Sequence, residues 1–200
     1  KNGYNFRKNY PDLSQDSVPE LSSQFGGPDG ELAASMRYLS QRYTMPCKEV
    51  GGLLTDIGTE ELAHLEMICA IIYQLTKNLT PEQAKQQFDA YYIDHTTALW
   101  PTAAAGVPFN ACEFQSKGDA ITDLHEDLAA EQKARTTYDN LIRIIENPEV
   151  REPLKFLRAR EVVHFQRFGE ALEKIKSKLD EKNFYYFNPE FDKQFVQNQK

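Results

Sequence analysis

Apolar residues recur at helical spacing in four stretches of this 200-residue chain, and in each the apolar stripe is interrupted by carboxylates. The first stretch starts after Asp29 and ends at Met45-Pro46, with Glu31, Ser35, Tyr38 and Arg42 on one face at i, i+4, i+7 and i+11. The second spans about 47–77, with Leu54, Ile57, Glu61, His64, Leu65, Ile68, Ile72 and Leu75 inward. The third, about 119–147, carries Ile121, Leu124, Leu128, Glu131, Arg135, Tyr138 and Leu141. The fourth begins between Pro148 and Leu154 and runs to about Leu179, with Leu157, Glu161, His164, Phe168, Leu172 and Ile175 on its inner face. Four helices with polar residues in mid-stripe predict a bundle whose core holds something other than hydrocarbon.

The remaining segments divide the chain. Residues 1–27 are polar, contain Pro11, Pro19 and a Gly26-Gly27-Pro28 break, and predict an extended N-terminal arm. Thr80-Pro81-Glu82-Gln83 combines an N-cap, a first-turn proline and a capping-box glutamine, which predicts a short helix through about Phe88. No helical period persists from Asp89 to Lys117. So long a connection in a compact domain needs a reason, and a crossover over 89–118 between the second and third bundle helices supplies one. Its Trp100, Pro101, Pro108 and Phe109 suggest a lid. Residues 28–180 therefore form the bundle, and residues 181–200 form an aromatic tail (Phe184, Tyr185, Tyr186, Phe187, Phe191, Phe195) that a partner subunit would bury, which points to a homo-oligomer.

Charge and composition narrow the function classes. The net charge of −7, without clustered Lys and Arg among aromatics, makes nucleic acid a poor partner. Cys47, Cys69 and Cys112 are scattered and odd in number, which fits idle thiols in a reducing compartment better than a disulfide framework. No apolar run approaches the ~20 residues of a membrane span, and Lys1–Tyr10 has no signal-peptide core. The chain lacks an initiator Met, so its N-terminus reads as trimmed, and it reads as a soluble, unsecreted protein made in the cytoplasm.

The polar interruptions repeat. Glu31 with Glu61-x-x-His64 is matched by Glu131 with Glu161-x-x-His164, and 131−31, 161−61 and 164−64 all equal 100, as does 138−38 for Tyr38 and Tyr138. Residues three apart share a helix face, so each Glu-x-x-His can reach one ion. A Glu from each of two helices and a Glu-x-x-His from each of two others is the inventory of ferritin-like dinuclear carboxylate proteins, so the fold class is an all-α, ferritin-like four-helix bundle. Four inward carboxylates without cations would each cost several kcal/mol. A carboxylate-rich set with only two imidazoles and no thiolate suits manganese or iron, hence chemistry on O2 or peroxide. Other candidates read as ordinary. Glu60 and Glu66 project off the stripe and read as solvated. His95 and His125 have Tyr92 and Thr122 three residues before them instead of Glu, and Asp123, Glu126 and Asp127 read as a solvent-facing acidic run. P-loop, Rossmann, nucleophile-elbow and zinc-finger patterns are absent.

Four segments carry a resemblance: Gly27-Pro-Asp-Gly-Glu31-Leu-Ala-Ala, Gly52-Leu-Leu-Thr-Asp-Ile-Gly-Thr-Glu-Glu61-Leu-Ala-His64-Leu-Glu-Met, Ala129-Ala-Glu131-Gln-Lys-Ala-Arg and Arg160-Glu161-Val-Val-His164. Together with Ala104-Ala-Gly-Val-Pro-Phe109, they make residues 25–175 similar to the manganese catalases, in particular the short, spore-coat-associated branch of endospore-forming bacteria. The resemblance implies disproportionation of hydrogen peroxide to water and O2 by two manganese ions cycling between divalent and trivalent states. It also implies a homo-hexamer and a place in the spore coat among other coat proteins. It assigns Glu31 and His64 to one ion, Glu131 and His164 to the other, and Glu61 to the bridge. By symmetry alone Glu161 stands as a ligand; the resemblance instead places it beside the bridge as a proton-handling catalytic group, with Tyr38 hydrogen-bonded within the site. Tyr138 has no such counterpart and reads as a core aromatic. Two departures stand out: Ala130 where some members have arginine, and a short chain after the fourth helix. A di-iron oxidase or peroxidase, and a structural coat protein with a vestigial or weakly active site, are the alternative functions.

Overall fold

The computed structural model describes residues 18–178. Six α-helices follow in order: α1 (Val18–Gly26), α2 (Glu31–Gln41), α3 (Lys48–Thr76), α4 (Pro81–His95), α5 (Ala120–Ile144) and α6 (Pro148–Lys176). The short links after α2 and α5 make two helical hairpins, with α2 packed on α3 and α5 packed on α6. The long crossover containing α4 joins the hairpins, which is the ferritin-like arrangement. Each hairpin supplies one Glu from its first helix and one Glu-x-x-His from its second.

Local chemistry sets the helix ends. Asp119 accepts from Thr122 N at 2.8 Å to cap α5, and Asn147 accepts from Glu149 N at 2.8 Å to cap α6 just before Pro148. Both halves of the Thr80/Gln83 capping box form, at 2.9 and 3.3 Å.

The apolar stripes condense into two separate clusters. One gathers Val18, Leu21 and Phe25 with Ile68–Leu75 of α3, Tyr138–Ile145 of α5 and Val150–Leu157 of α6. The other gathers Val50–Ile57 of α3, Ala120–Leu124 of α5 and Phe168–Ile175 of α6 with Tyr38. Residues 61, 64, 131, 161 and 164 fall between these limits on α3, α5 and α6, so the polar positions form a waist with a hydrocarbon plug at each end.

Three expectations change. Val18–Gly26 is a helix, not part of an extended arm: Val18, Leu21 and Phe25 share one face at i, i+3 and i+7 and are at most 8% exposed, and Pro19 sits in the first turn, where a missing N–H costs nothing. Its C-terminal Gly26 is needed, because a Cβ there would meet the Pro101 carbonyl carbon at 2.2 Å. The rest of the expected arm and the aromatic tail lie outside the described residues. The crossover helix runs past Phe88 to His95, since neither Gly nor Pro occurs between Glu82 and Trp100 and propagation of a capped helix is favourable. It stops at Thr96, whose φ of 55° is left-handed, and the His95 ring stacks on Trp100 at 4.8 Å. Finally, Arg42 falls in the 3₁₀ turn Arg42–Thr44, off the α2 stripe, with its guanidinium over the Tyr43 ring.

Among the described residues the crossover is held by Pro101 against Gly26, by Gln41 Nε2 donating to Gln115 O at 2.9 Å, and by Lys117 N and Gly118 N donating to Asp123. No described helix is long and apolar enough to cross a membrane, and the three cysteines are free thiols.

Candidate metal centre

Glu31 lies in the first turn of α2, and Glu61/His64, Glu131 and Glu161/His164 lie near the middles of α3, α5 and α6. None of the six is more than 3% exposed. Glu61 divides its carboxylate between the two halves: Oε2 is 2.6 Å from His64 Nδ1, and Oε1 is 2.8 Å from His164 Nδ1. The other glutamates flank in the same sense, with Glu31 Oε2 3.6 Å from His64 Nδ1 and Glu131 Oε2 3.7 Å from His164 Nδ1. The imidazoles stack at 5.6 Å and 18°. Donor atoms of Glu31, Glu61, His64 and Glu161 lie within 4.8 Å of one another, as do those of Glu61, Glu131 and His164. Glu61 belongs to both groups.

The donor set fits a pair of cations. Glu61 Oε1, Glu131 Oε2, Glu161 Oε1 and His164 Nδ1 are buried without a hydrogen-bond partner, although Glu61 Oε1 and His164 Nδ1 are 2.8 Å apart. Buried polar atoms left without partners call for an explanation, and a bound ion is one that would satisfy several of them at once. Four carboxylates carry a charge of −4, and two divalent ions would balance it. Electrostatics agree. Burial, then the charges of Glu131, Glu31 and Glu61, push the Glu161 carboxyl well above the usual range, and burial raises Glu61 to about 7. Burial disfavours imidazolium, yet the glutamates facing His64 and His164 overcome it and raise them to about 12 and 10. Cations would compete for the same lone pairs, so metal uptake would release protons.

Two tyrosines cross the pseudo-two-fold axis. Tyr38 of α2 donates to Glu131 Oε1 at 2.5 Å, and Tyr138 of α5 donates to Glu31 Oε1. Tyr138 is thus both a fully buried core aromatic and a site residue, and its offset of 100 from Tyr38 was the available signal. Each hydroxyl holds a carboxylate that flanks one half of the cluster. Tyr138→Phe is expected to weaken divalent-metal binding by roughly 10–100-fold, as loss of an outer partner does. Tyr38→Phe should match it, and chelator competition on both variants checks the symmetry.

Several residues expected at the surface are not there. Asp123 and Asp127 are fully buried: Asp123 accepts from Lys117 N and Gly118 N, which orders the start of α5, and burial pushes the Asp127 carboxyl well up. A buried guanidinium, Arg37, enters this side from α2, with Nε 3.6 Å from Glu126. It lies off the stripe of Glu31, Ser35 and Tyr38, so the spacing of α2 gives no signal for it. Ala130 is a buried methyl one turn along from Glu126. Glu60 is also engaged. Arg160 Nε and Nη2 donate to its two oxygens at 2.5 and 3.2 Å, and both imidazole Nε2 atoms lie close by. Glu60 and Arg160 again differ by 100, each preceding the Glu of a Glu-x-x-His. Glu66 and His125 are exposed, as expected.

Comparison with known proteins agrees with this geometry. The sequence model of the family described as "Manganese containing catalase" matches residues 4–199. Protein CotJC of Bacillus subtilis (strain 168) is 55% identical over 166 residues, covering 82% of this chain and 87% of that protein. A "Probable manganese catalase" of Clostridium acetobutylicum is 34% identical over 166 residues, covering 82% of this chain and 73% of its own length. Among solved structures, KatB, a manganese catalase from Anabaena, superposes with a TM-score of 0.81 at 29% identity, covering 94% of this chain and 85% of that one.

Proposed function

The chain belongs to the manganese-containing catalase family, whose cofactor is a pair of manganese ions, and from that premise we propose that it converts two molecules of hydrogen peroxide into two of water and one of O2. The observation that carries this reading is the divided carboxylate of Glu61, with one oxygen toward each histidine. Glu31 and His64 would hold one ion, Glu131 and His164 the other, with Glu61 bridging. When bound, the pair supplies two adjacent redox centres that exchange two electrons with peroxide.

The protein's own groups supply the rest. Glu161 is buried, has an unpartnered Oε1 and is raised in proton affinity, so it can take a proton from peroxide at that atom and return it to the departing oxygen. Tyr38 and Tyr138 keep Glu131 and Glu31 oriented as charge changes. The apolar clusters on either side keep bulk water from the waist.

The resemblance to the spore-coat-associated branch supports a place in the spore coat among other coat proteins, and the aromatic residues in the sequence after the fourth bundle helix support a homo-oligomer. The test is O2 release from hydrogen peroxide by protein from manganese-supplemented cells, run beside an iron-supplemented preparation. Release confined to the manganese sample is expected. Release only with iron would favour a di-iron peroxidase, and none from folded, metal-loaded protein would favour a structural coat role.

A further inference from the structure

The two histidines face carboxylates on both sides, and consecutive residues of α3 supply the nearest on each side. Glu61 lies against both Nδ1 atoms; Glu60 lies against both Nε2 atoms, with Oε1 3.5 Å from His64 and Oε2 3.2 Å from His164. The Glu60 side chain is 29% exposed, whereas the imidazoles are at most 2% exposed, so it closes the stack on the side away from the ligand cluster. Arg160 fixes it through two hydrogen bonds, one to each oxygen. Each Glu60 oxygen therefore accepts from one guanidinium nitrogen and faces one imidazole Nε2, and His164 Nε2, 3.2 Å away, is otherwise a buried nitrogen without a hydrogen-bond partner. Nothing in the reaction above uses this residue.

We propose that Glu60 is a positioning residue for both half-sites at once: its two oxygens accept the two Nε2–H groups, which keeps both Nδ1 atoms deprotonated and aimed at the ions. This rests on the reading of Glu31, Glu61, His64, Glu131 and His164 as the manganese ligands. A neutral imidazole has one donor nitrogen and one acceptor, so whichever nitrogen holds the proton leaves the other free to bind metal. Partners of this kind commonly set the tautomer of a ligating histidine. What is particular here is that one carboxylate serves two histidines of different helices, and Arg160, at the equivalent position of the second repeat, holds it in place. The stacked imidazoles make that sharing geometrically natural, since both Nε2 atoms lie within 3.5 Å of the same carboxylate.

A glutamine cannot do the same. In Glu60→Gln the amide oxygen would stay on the short bond to Arg160 Nε, on the His64 side, and would turn its NH2 toward His164. His164 Nε2 then faces a donor, and satisfying that donor places the proton on Nδ1, where it blocks the metal. The variant should therefore keep one tight ion and lose the other by about 10–100-fold in affinity. Glu60→Ala, open to water, should weaken both ions about equally, and Arg160→Met should do so to a smaller extent.

The experiment is manganese titration of metal-free full-length protein against a competing chelator, with EPR at each step. The parent is expected to bind two ions with an exchange-coupled signal. Glu60→Gln is expected to bind one tight ion with the six-line signal of isolated Mn(II). Two tight ions in Glu60→Gln, with the parent also binding two, would overturn the role of Glu60 and leave the metal centre standing. If that variant does not fold, an unchanged titration of Arg160→Met would overturn it equally. No pair bound by the parent would overturn the metal centre itself, and with it this role. O2 release does not enter the readout, so catalytic failure alone would leave the inference intact.

Discussion

Glu61→Ala is expected to cost this protein both ions together, and with them all measurable O2 release, while the helices remain. Among the described residues Glu61 belongs to both donor groups. Glu31 and Glu131 each flank one histidine, so alanine at either should release one ion first and leave the other bound. Removing the bridge takes an anionic ligand from both, and the loss should exceed the ~10–100-fold of an outer partner. The clearest measurement is the manganese-dependent rise in Tm. A ligand present at a hundred times its Kd stabilises the native state by about 2.7 kcal/mol per site, so saturating manganese should raise the parent's Tm by several degrees. Glu61→Ala should show no such rise. A variant that still gained half the shift, with one ion per chain, would show that Glu61 is terminal rather than shared.

The candidate ligands are legible in the sequence because metal chemistry restricts residue type and the helix restricts spacing. A Glu-x-x-His in the middle of an apolar stripe cannot be solvated, and its repetition after 100 residues, with a Glu preceding each copy, leaves few alternatives to a shared centre. The surrounding groups were not legible, because burial of a charge beside the stripe depends on what a neighbouring helix places there. Glu60 is one residue off the inner face of α3 and is enclosed only once Arg160 of α6 meets it. Asp123 and Asp127 belong to an acidic run that resembles a wet surface, yet Asp123 folds back on the end of the crossover. Arg37 lies off the Glu31/Ser35/Tyr38 stripe and is buried because α2 is covered on more than one side, which its own sequence does not announce. The α1 helix shows the same limit on a larger scale: polar composition, Pro11, Pro19 and the Gly26-Gly27-Pro28 break suggest an arm, and three apolar residues at i, i+3 and i+7 are the stronger signal.

Glu161→Gln should give the opposite pattern to Glu61→Ala: two manganese ions retained and turnover reduced by about 10²–10⁴-fold, the range associated with loss of a positioned acid or base. Sequence symmetry favours a ligand role, since Glu161 occupies the position of Glu61 in the second repeat. Proximity does not exclude it, because a Glu161 oxygen lies within 4.8 Å of donor atoms of Glu31, Glu61 and His64. Imidazole contact and charge break that symmetry. Both Glu61 oxygens lie within 2.8 Å of an imidazole nitrogen, whereas burial and the like charges of Glu131, Glu31 and Glu61 push the Glu161 carboxyl well up, so it favours holding a proton. Glutamine preserves its volume and one acceptor oxygen but cannot exchange a proton, so kcat should fall while manganese stoichiometry and the KM for peroxide change little. The comparison that decides is with His64→Ala, which should lose metal. Equal loss of manganese from both variants would make Glu161 a ligand, and the protons of the reaction would then need another carrier within the waist.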